Sequence, residues 1–447
     1  MTTTRVLVIG AGLAGSEAAW FLASRGVSVA LVEVKTLKLN PAQKIKNFAE
    51  LVCTNSLKSL DPDSAHGLLK TEMRALGSLV LSVSDVTSVP AGDALAVDRE
   101  LFSAEITKRL HAHPNIKVIA AEAADPLSLM RELECQHVIV ASGPLTTTPL
   151  EEWMVANLGA EDIYFYDAIA PVVDADTLDY SKLYYKDRHR KPDERADYLN
   201  APMNKEQYDL FVGELARAEK VPPKDFEDWK FFESCLPIDL MAERGPETAR
   251  FSCMKPIGLE LPDGSEPWAV VQLRKENLAG AAFNLVGFQT RLTYKEQVRV
   301  FRMIPGLEEA SFIHLGSCHR NSFLNSRRLL NHSMTSNKFP ELSFAGQITG
   351  VEGYTESASI GLYVASQLLN RIEGKPELAW PVETGIGALV NYVMTIEKPT
   401  PSNINFGLLP SVEMTKEQRK SGPRKKVRKS LAAARAREVF EAFRVQL

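Results

Sequence analysis

An α/β architecture is predicted: a parallel sheet carrying a nucleotide-binding turn, interrupted by a smaller α+β insertion. Three observations predict it. A strand–glycine–helix–strand unit opens the 447-residue chain. Further strand and helix patterns recur up to about residue 160 and again after about 340. Between them, from about 170 to 315, the chain turns rich in Tyr, Lys, Asp, Glu and Pro.

The first unit is the most informative. Arg5-Val6-Leu7-Val8-Ile9 is a short apolar run with β-branched residues, and it leads straight into Gly10-Ala11-Gly12-Leu13-Ala14-Gly15. Ser16 to Ser24 then reads as a helix with apolar Ala18, Ala19, Phe21 and Leu22. Strand, Gly-x-Gly-x-x-Gly and helix in that order form a dinucleotide fingerprint, the mark of a Rossmann-type domain. The first glycine permits the tight turn, the second lets backbone approach a pyrophosphate, and the third lets helix and strand pack closely. The helix N-terminus offers N–H groups to phosphate. A second strand, Ser28-Val29-Ala30-Leu31-Val32, ends at Glu33, placed to bond a ribose hydroxyl.

Later elements follow the same logic. Residues 79–97 are expected to form short strands and turns, with a turn at Val89-Pro90-Ala91-Gly92. Asp98 caps a helix to His111, and Ile116 to Ile119 reads as a strand. The strand His137 to Val140 runs into Ala141-Ser142-Gly143, small residues that let a strand end pass beneath a cofactor. In the middle region we expect a helix over Lys205–Glu219 and antiparallel strands over Trp268–Leu273 and Phe283–Phe288. The α/β pattern resumes with a strand Leu342 to Gln347, including Gly346, then a loop and a helix over Ser357–Asn370. A second Gly-x-Gly-x-x-Gly is absent, so one dinucleotide, FAD in preference to NAD, fits the count. The expected domains are 1–169 with 315–447 for FAD, the latter ending in a basic segment 411–447, and 170–314 as an inserted substrate domain.

Composition sets the class. Apolar content of 45% and charged content of 24% are ordinary for a soluble globular protein. No apolar stretch approaches the ~18 residues of a membrane span, and Val6–Ile9 is too short for a signal peptide, so a cytoplasmic enzyme is expected. Five cysteines without a C-x-x-C pair argue against a disulfide framework and against a structural metal. A net charge of −4 gives no global sign of nucleic acid, but Lys416 to Arg437 is dense in Lys and Arg. That cluster reads either as a phosphate-binding surface or as a solvated terminal helix.

Many ordered blocks of the chain resemble the folate- and FAD-dependent uracil-C5 RNA methyltransferases. They include Gly10 to Trp20, Phe48-Ala49-Glu50-Leu51-Val52-Cys53-Thr54-Asn55-Ser56-Leu57, Val89 to Arg99, Glu233-Ser234-Cys235-Leu236-Pro237-Ile238, Met254 to Leu259, Val286 to Thr290, His319 to Phe323 and Ala345 to Tyr354. The chain departs from the family pattern at Ser234, Ala201 and Cys318. The resemblance implies methylation of a T-loop uridine of tRNA. Methylenetetrahydrofolate would be the carbon donor, reduced FAD the hydride donor, and NAD(P)H the reductant of the flavin. It implies Cys235 as the nucleophile for uracil C6 and Cys53 in proton removal from C5 or in the one-carbon step. An unperturbed thiol is only a few per cent thiolate at pH 7, so both need activation. It further implies Tyr354 and His319 at a stacked folate–flavin pocket, Asn55 and Ser56 as flavin hydrogen-bonders, and Gly346 and Gln347 beside the ring. RNA contact is expected from the tail with Lys255, Arg274, Arg291 and Arg320. The alternatives are the same chemistry on ribosomal RNA, a wobble-uridine modifier, a small-molecule flavin oxidoreductase, or a flavoprotein that only docks RNA. Oligomeric state and the choice between NADH and NADPH are left open.

Overall fold

Five parallel strands form the central sheet of the computed structural model, in the order Leu342–Phe344, His137–Val140, Arg5–Ile9, Ser28–Glu33, Ile116–Ala120. The structure describes residues 5–40, 42–160, 163–188, 196–222, 231, 236–418 and 422–447, with backbone alone at 163–168, 318–320 and 425. Val6, Leu7, Val8, Val29, Leu31, Val138 and Ile139 are fully buried. Strands covered on both faces read as continuous apolar runs rather than alternating ones, which is why the sequence signal was clear.

The helix Leu13–Ala23 follows the glycine turn and packs against Tyr354–Ile372. Their approach is close: a Cβ on Gly361 would lie 2.3 Å from the Ala14 carbonyl oxygen, and one on Gly346 would lie 2.6 Å from the Ala14 Cβ. The late glycine segment is thereby pressed against the first. The second helix begins at Tyr354, three residues before the expected start, at Gly353 with φ +113.

One expectation is corrected. Leu79–Val86 is a helix, not a strand. Its apolar, valine-rich run suits either state, and tertiary capping decides. Ser78 Oγ accepts from the Leu81 N–H, and the buried Glu17 carboxylate accepts from the Leu79 and Val80 N–H groups at 2.9 and 3.0 Å. These satisfy donors that a helix start otherwise leaves unpaired.

A six-stranded antiparallel sheet occupies the middle of the chain, in the order Tyr184–Tyr185, Leu199–Met203, Ala269–Lys275, Ala282–Leu285, Val172–Asp174, Phe312–His314. Its last expected strand stops at Leu285 because Gly287 turns at φ +80, where a Cβ would lie 2.5 Å from the Cys253 Cβ. Strand alternation gives the sheet two unlike faces. Val271, Leu273, Phe283 and Leu285 pack with Tyr208, Phe211, Phe288 and Phe301 in one core. The opposite face carries Asn200, Gln272, Arg274 and Asn284, all buried.

Two main hydrophobic cores result, one drawn from residues between 6–160 and 324–443, the other from residues between 173–310. The ribbon of Ile163–Ile169 with Ser317–Phe323 carries the chain out and back. The helix Arg424–Arg444 docks through Phe443, whose ring centroid lies 4.9 Å from that of Trp380. Among the described residues no helix is long and apolar enough to cross a membrane.

Candidate functional site

The carboxyl ends of the parallel strands open into a cavity of about 580 Å³. This is where open α/β sheets bind their ligands. Its wall includes Gly10, Gly12, Leu13 and Ala14 from the first turn, Ser142 and Gly143 after the strand His137–Val140, and Gly346 and Gln347 after the strand Leu342–Phe344. Glu33 and Tyr354 also line it.

The glycines divide by role. Gly10 turns at φ +99, and a Cβ there would lie 2.5 Å from the Ala141 carbonyl oxygen. A Cβ on Gly15 would lie 1.8 Å from the Gly10 carbonyl oxygen, so Gly15 serves packing and does not reach the cavity wall. Gly12 is exposed, and a Cβ there would meet no protein atom within 4 Å. It caps the helix Leu13–Ala23 without any side-chain bond, leaving first-turn N–H groups for an anion.

Glu33 is 8% exposed, and its carboxylate accepts from the Ala11 N–H at 2.5 Å and the Lys35 N–H at 2.8 Å. A carboxylate has about four lone-pair sites, so capacity for ribose hydroxyls remains. The Ala11 N–H is thus committed to Glu33, and Ala11 acts on the site through that residue. Glu33→Ala should weaken FAD binding about 10- to 100-fold, through loss of charge-assisted bonds of roughly 1.5–3 kcal/mol each. Fluorescence titration of the stripped protein with FAD measures it. An unchanged affinity would remove Glu33 from the cofactor site.

Around the cavity lies the loop with Cys53, held from three sides. The Tyr354 phenol oxygen accepts from the Cys53 and Thr54 N–H groups at 2.7 and 3.1 Å. Burial and the neighbouring Cys53 push the phenol well above its ordinary range, so it stays protonated. Arg99 donates to the Leu51 carbonyl at 3.0 Å and pairs with Glu276 of the six-stranded region, Nε to Oε2 at 2.6 Å. Its guanidinium lies within electrostatic reach of Cys53. Arg274 donates Nε to Asn55 Oδ1 at 2.9 Å and Nη2 to Thr54 Oγ1 at 2.5 Å. Burial together with the charges of Lys44 and Arg99 holds the His314 imidazole below its usual range, so it is neutral near pH 7.

The remaining expected residues fall as follows. Asn55 does not line the cavity; its amide donates to the Val97 and Lys275 carbonyls at 3.1 and 2.9 Å and ties the short strand Ala94–Val97 to the strand Ala269–Lys275. Ser56 turns inward on its own strand, accepting from the Lys58 N–H at 3.0 Å, and also lies off the cavity wall. Gln347 lines the cavity while donating to Glu352 at 2.6 Å. Cys235 and the His319 side chain lie outside the described residues. Arg274 and Arg291 are not phosphate-binding surface cations: both are buried, and Arg291 is consumed by Asp239 at 2.5 Å and Glu243 at 2.7 Å. Lys255 is exposed, as are Arg424, Lys426, Arg428 and Lys429 on the terminal helix.

Sequence reading missed Lys38, Asn40 and Gln43 on the cavity wall. The last two carried a signal, since Asn40 and Gln43 exchange side-chain to backbone bonds at 3.0 and 3.1 Å in the manner of a capping box. Arg99 and Glu276, 177 positions apart, carried none.

The family model described as glucose inhibited division protein A matches residues 5–376. The chain is 49% identical over 442 residues to the methylenetetrahydrofolate–tRNA-(uracil-5-)-methyltransferase TrmFO of Aquifex aeolicus, covering 98% of this chain and 96% of that protein. It is 48% identical over 445 residues to the protein of the same name from Persephonella marina, covering 99% of each. The crystal structure of Aquifex aeolicus GidA (form II) superimposes with a TM-score of 0.68 at 17% identity, over 98% of this chain and 73% of that one, a likeness of fold.

Proposed function

The chain belongs to the glucose inhibited division protein A family, and we propose that it makes 5-methyluridine in the T-loop of tRNA. Methylenetetrahydrofolate is the carbon donor, FAD the resident cofactor and NAD(P)H the reductant. One observation carries the reading: Tyr354 is at once a wall of the dinucleotide cavity and the acceptor that fixes the backbone of Cys53. A redox cofactor bound in that cavity would share Tyr354 with the thiol loop. A metabolite oxidoreductase has no need of that pairing.

The residues fit FAD. The open space over Gly12 and the uncapped helix start after it suit a pyrophosphate, and Glu33 suits the ribose. Reduced FAD, when bound, supplies the hydride that completes the methyl group. The chain's own residues do the rest. Carbon 5 of uracil is a weak nucleophile until a thiolate adds to C6, and Cys235 takes that role by resemblance to the family. Cys53 serves either proton removal from C5, as general base, or the one-carbon step, with the Arg99 guanidinium within electrostatic reach of its sulfur. Tyr354, protonated, orients the Cys53 loop. A uridine inside folded RNA must be extruded first, at a cost of a few kcal/mol. The exposed cations of the terminal helix and Lys255 supply phosphate contacts, which makes binding salt-dependent.

Purified protein incubated with tRNA, methylenetetrahydrofolate and NAD(P)H is expected to form 5-methyluridine, detected by nucleoside mass spectrometry. S-adenosylmethionine should not replace the folate. Methylation by S-adenosylmethionine alone would overturn the proposal.

A further inference from the structure

The face of the six-stranded sheet turned away from its own core carries a buried polar row that the chemistry above leaves unused. In antiparallel register Arg274 stands opposite Asn284 and Asn284 opposite Val172, and past a β-bulge in the edge strand Val172 stands opposite His314. Residues opposed in register share a face. The Arg274 end of the row meets the segment that carries Cys53. Arg274 reaches Thr54 and Asn55 by hydrogen bonds, and His314 lies within electrostatic reach of Lys44 and Arg99. Asn284, paired in register with Arg274, shares its face of the sheet.

Asn284 is 2% exposed, and its Nδ2 has no hydrogen-bond partner. Buried amides are nearly always paired, and an orphan of this kind calls for an explanation. Its neighbours Asn200 and Gln272 show the contrast: Gln272 donates to Asn200 at 3.2 Å and accepts from Arg188 at 3.0 Å. Among the described residues none pairs with the Asn284 Nδ2, and a partner brought in from outside would satisfy it without rebuilding the sheet.

We propose that the Asn284 side-chain amide reads the imide edge of the target pyrimidine, its Oδ1 accepting from N3–H and its Nδ2 donating to O4. The inference rests on the methyltransferase reading for the identity of the ligand. The pairing uses one donor and one acceptor side by side, which an asparagine supplies and which the N3–O4 edge of uracil complements. A neutral reader suits a neutral base, and the row keeps its cation, Arg274, occupied elsewhere. Asn284 is a specificity-determining residue in this account and takes part in no proton transfer.

The test is a binding cycle that does not depend on methylation. T-arm hairpins carrying either uridine or 3-methyluridine at the target position are titrated against full-length, flavin-loaded wild type, Asn284→Ala and Asn284→Asp, with fluorescence anisotropy as the readout. Wild type is expected to bind the 3-methyluridine hairpin about 10- to 100-fold more weakly, because the methyl blocks N3 and strands the amide. In Asn284→Ala that penalty should fall to about 2-fold or less. Asn284→Asp keeps the shape of the side chain but places an oxygen against O4, so its binding of the uridine hairpin should fall by at least as much as that of the alanine variant. Flavin absorbance and the rate of flavin reduction by NAD(P)H check that the variants are folded. An equal 3-methyluridine penalty in wild type and folded Asn284→Ala overturns the proposal. Discrimination by Asn284 in a protein that forms no 5-methyluridine supports the amide's role and sinks the methyltransferase reading instead.

Discussion

Gly15→Ala is expected to yield little folded protein, whereas Gly12→Ala should yield folded protein that has lost its flavin. The two positions are three residues apart in one turn, and the difference lies in what a single methyl group would strike. At Gly15 the added carbon would lie 1.8 Å from the Gly10 carbonyl oxygen, 3.0 Å from its carbonyl carbon and 3.3 Å from the Ala141 Cβ. The first two are backbone atoms of the strand's own turn, so no rotamer change relieves the clash. The helix Leu13–Ala23 must lift off the sheet, and with it its contact with Tyr354–Ile372. Overpacking a core costs about 1–3 kcal/mol when side chains can yield. Here they cannot, and the loss approaches the whole stability of an ordinary domain, about 5–15 kcal/mol. At Gly12 the backbone is at φ −71, open to any L-residue, and the methyl meets no protein atom within 4 Å. It points into the space a pyrophosphate needs, at an expected cost of roughly 100-fold or more in FAD affinity. Soluble yield and circular dichroism report the first effect, and the visible flavin absorbance of the purified protein reports the second. A yellow Gly12→Ala protein with wild-type FAD content would mean that the turn does not approach the cofactor.

This contrast also explains what was legible in the sequence. The first turn could be read because its determinants are local. Strand, glycines, helix and Glu33 all fall within 33 residues, and each glycine's task follows from its place in the turn. The late glycine segment was legible for the same reason. The Leu79–Val86 helix was not, because the residue that caps it, Glu17, lies about 60 positions earlier and the run itself suits either state. Asn55 misled for a related reason. Its place beside Cys53 and Thr54 suggested the flavin, but its amide is spent on Val97 and Lys275, the latter 220 positions away. Contacts of that range leave no periodicity to read. The thiol loop is therefore the part of the site that required a structure, and one of its anchors, Arg274, comes from the six-stranded sheet.

Arg274→Ala is expected to cut methylation about 10²- to 10³-fold while leaving flavin content unchanged. The Arg274 guanidinium holds two consecutive residues after Cys53 at once, Thr54 through Nη2 and Asn55 through Nε. It is 6% exposed, so water does not readily replace what is removed. Hydrogen bonds to a charged group contribute about 1.5–3 kcal/mol each, and the variant also leaves the buried Asn55 Oδ1 without its donor. The cavity wall contains neither Arg274 nor Asn55, so FAD has no reason to leave. The Tyr354 bonds to Cys53 and Thr54 remain, and so does the Arg99–Glu276 pair. What is lost is the strap from the strand Ala269–Lys275, and with it the fixed placement of the thiol; a displacement of about 1 Å at a reacting group costs on the order of 10²-fold. Arg274→Lys should recover only part of the rate, because an ammonium has no planar fork to span both acceptors. Two measurements separate positioning from plain destabilisation. The initial rate of 5-methyluridine formation should fall in kcat more than in KM for tRNA, and alkylation of Cys53, followed by mass spectrometry, should change rate while the flavin spectrum does not. Wild-type kcat and Cys53 reactivity in Arg274→Ala would mean that Tyr354 and Arg99 hold the thiol without help from the inserted sheet.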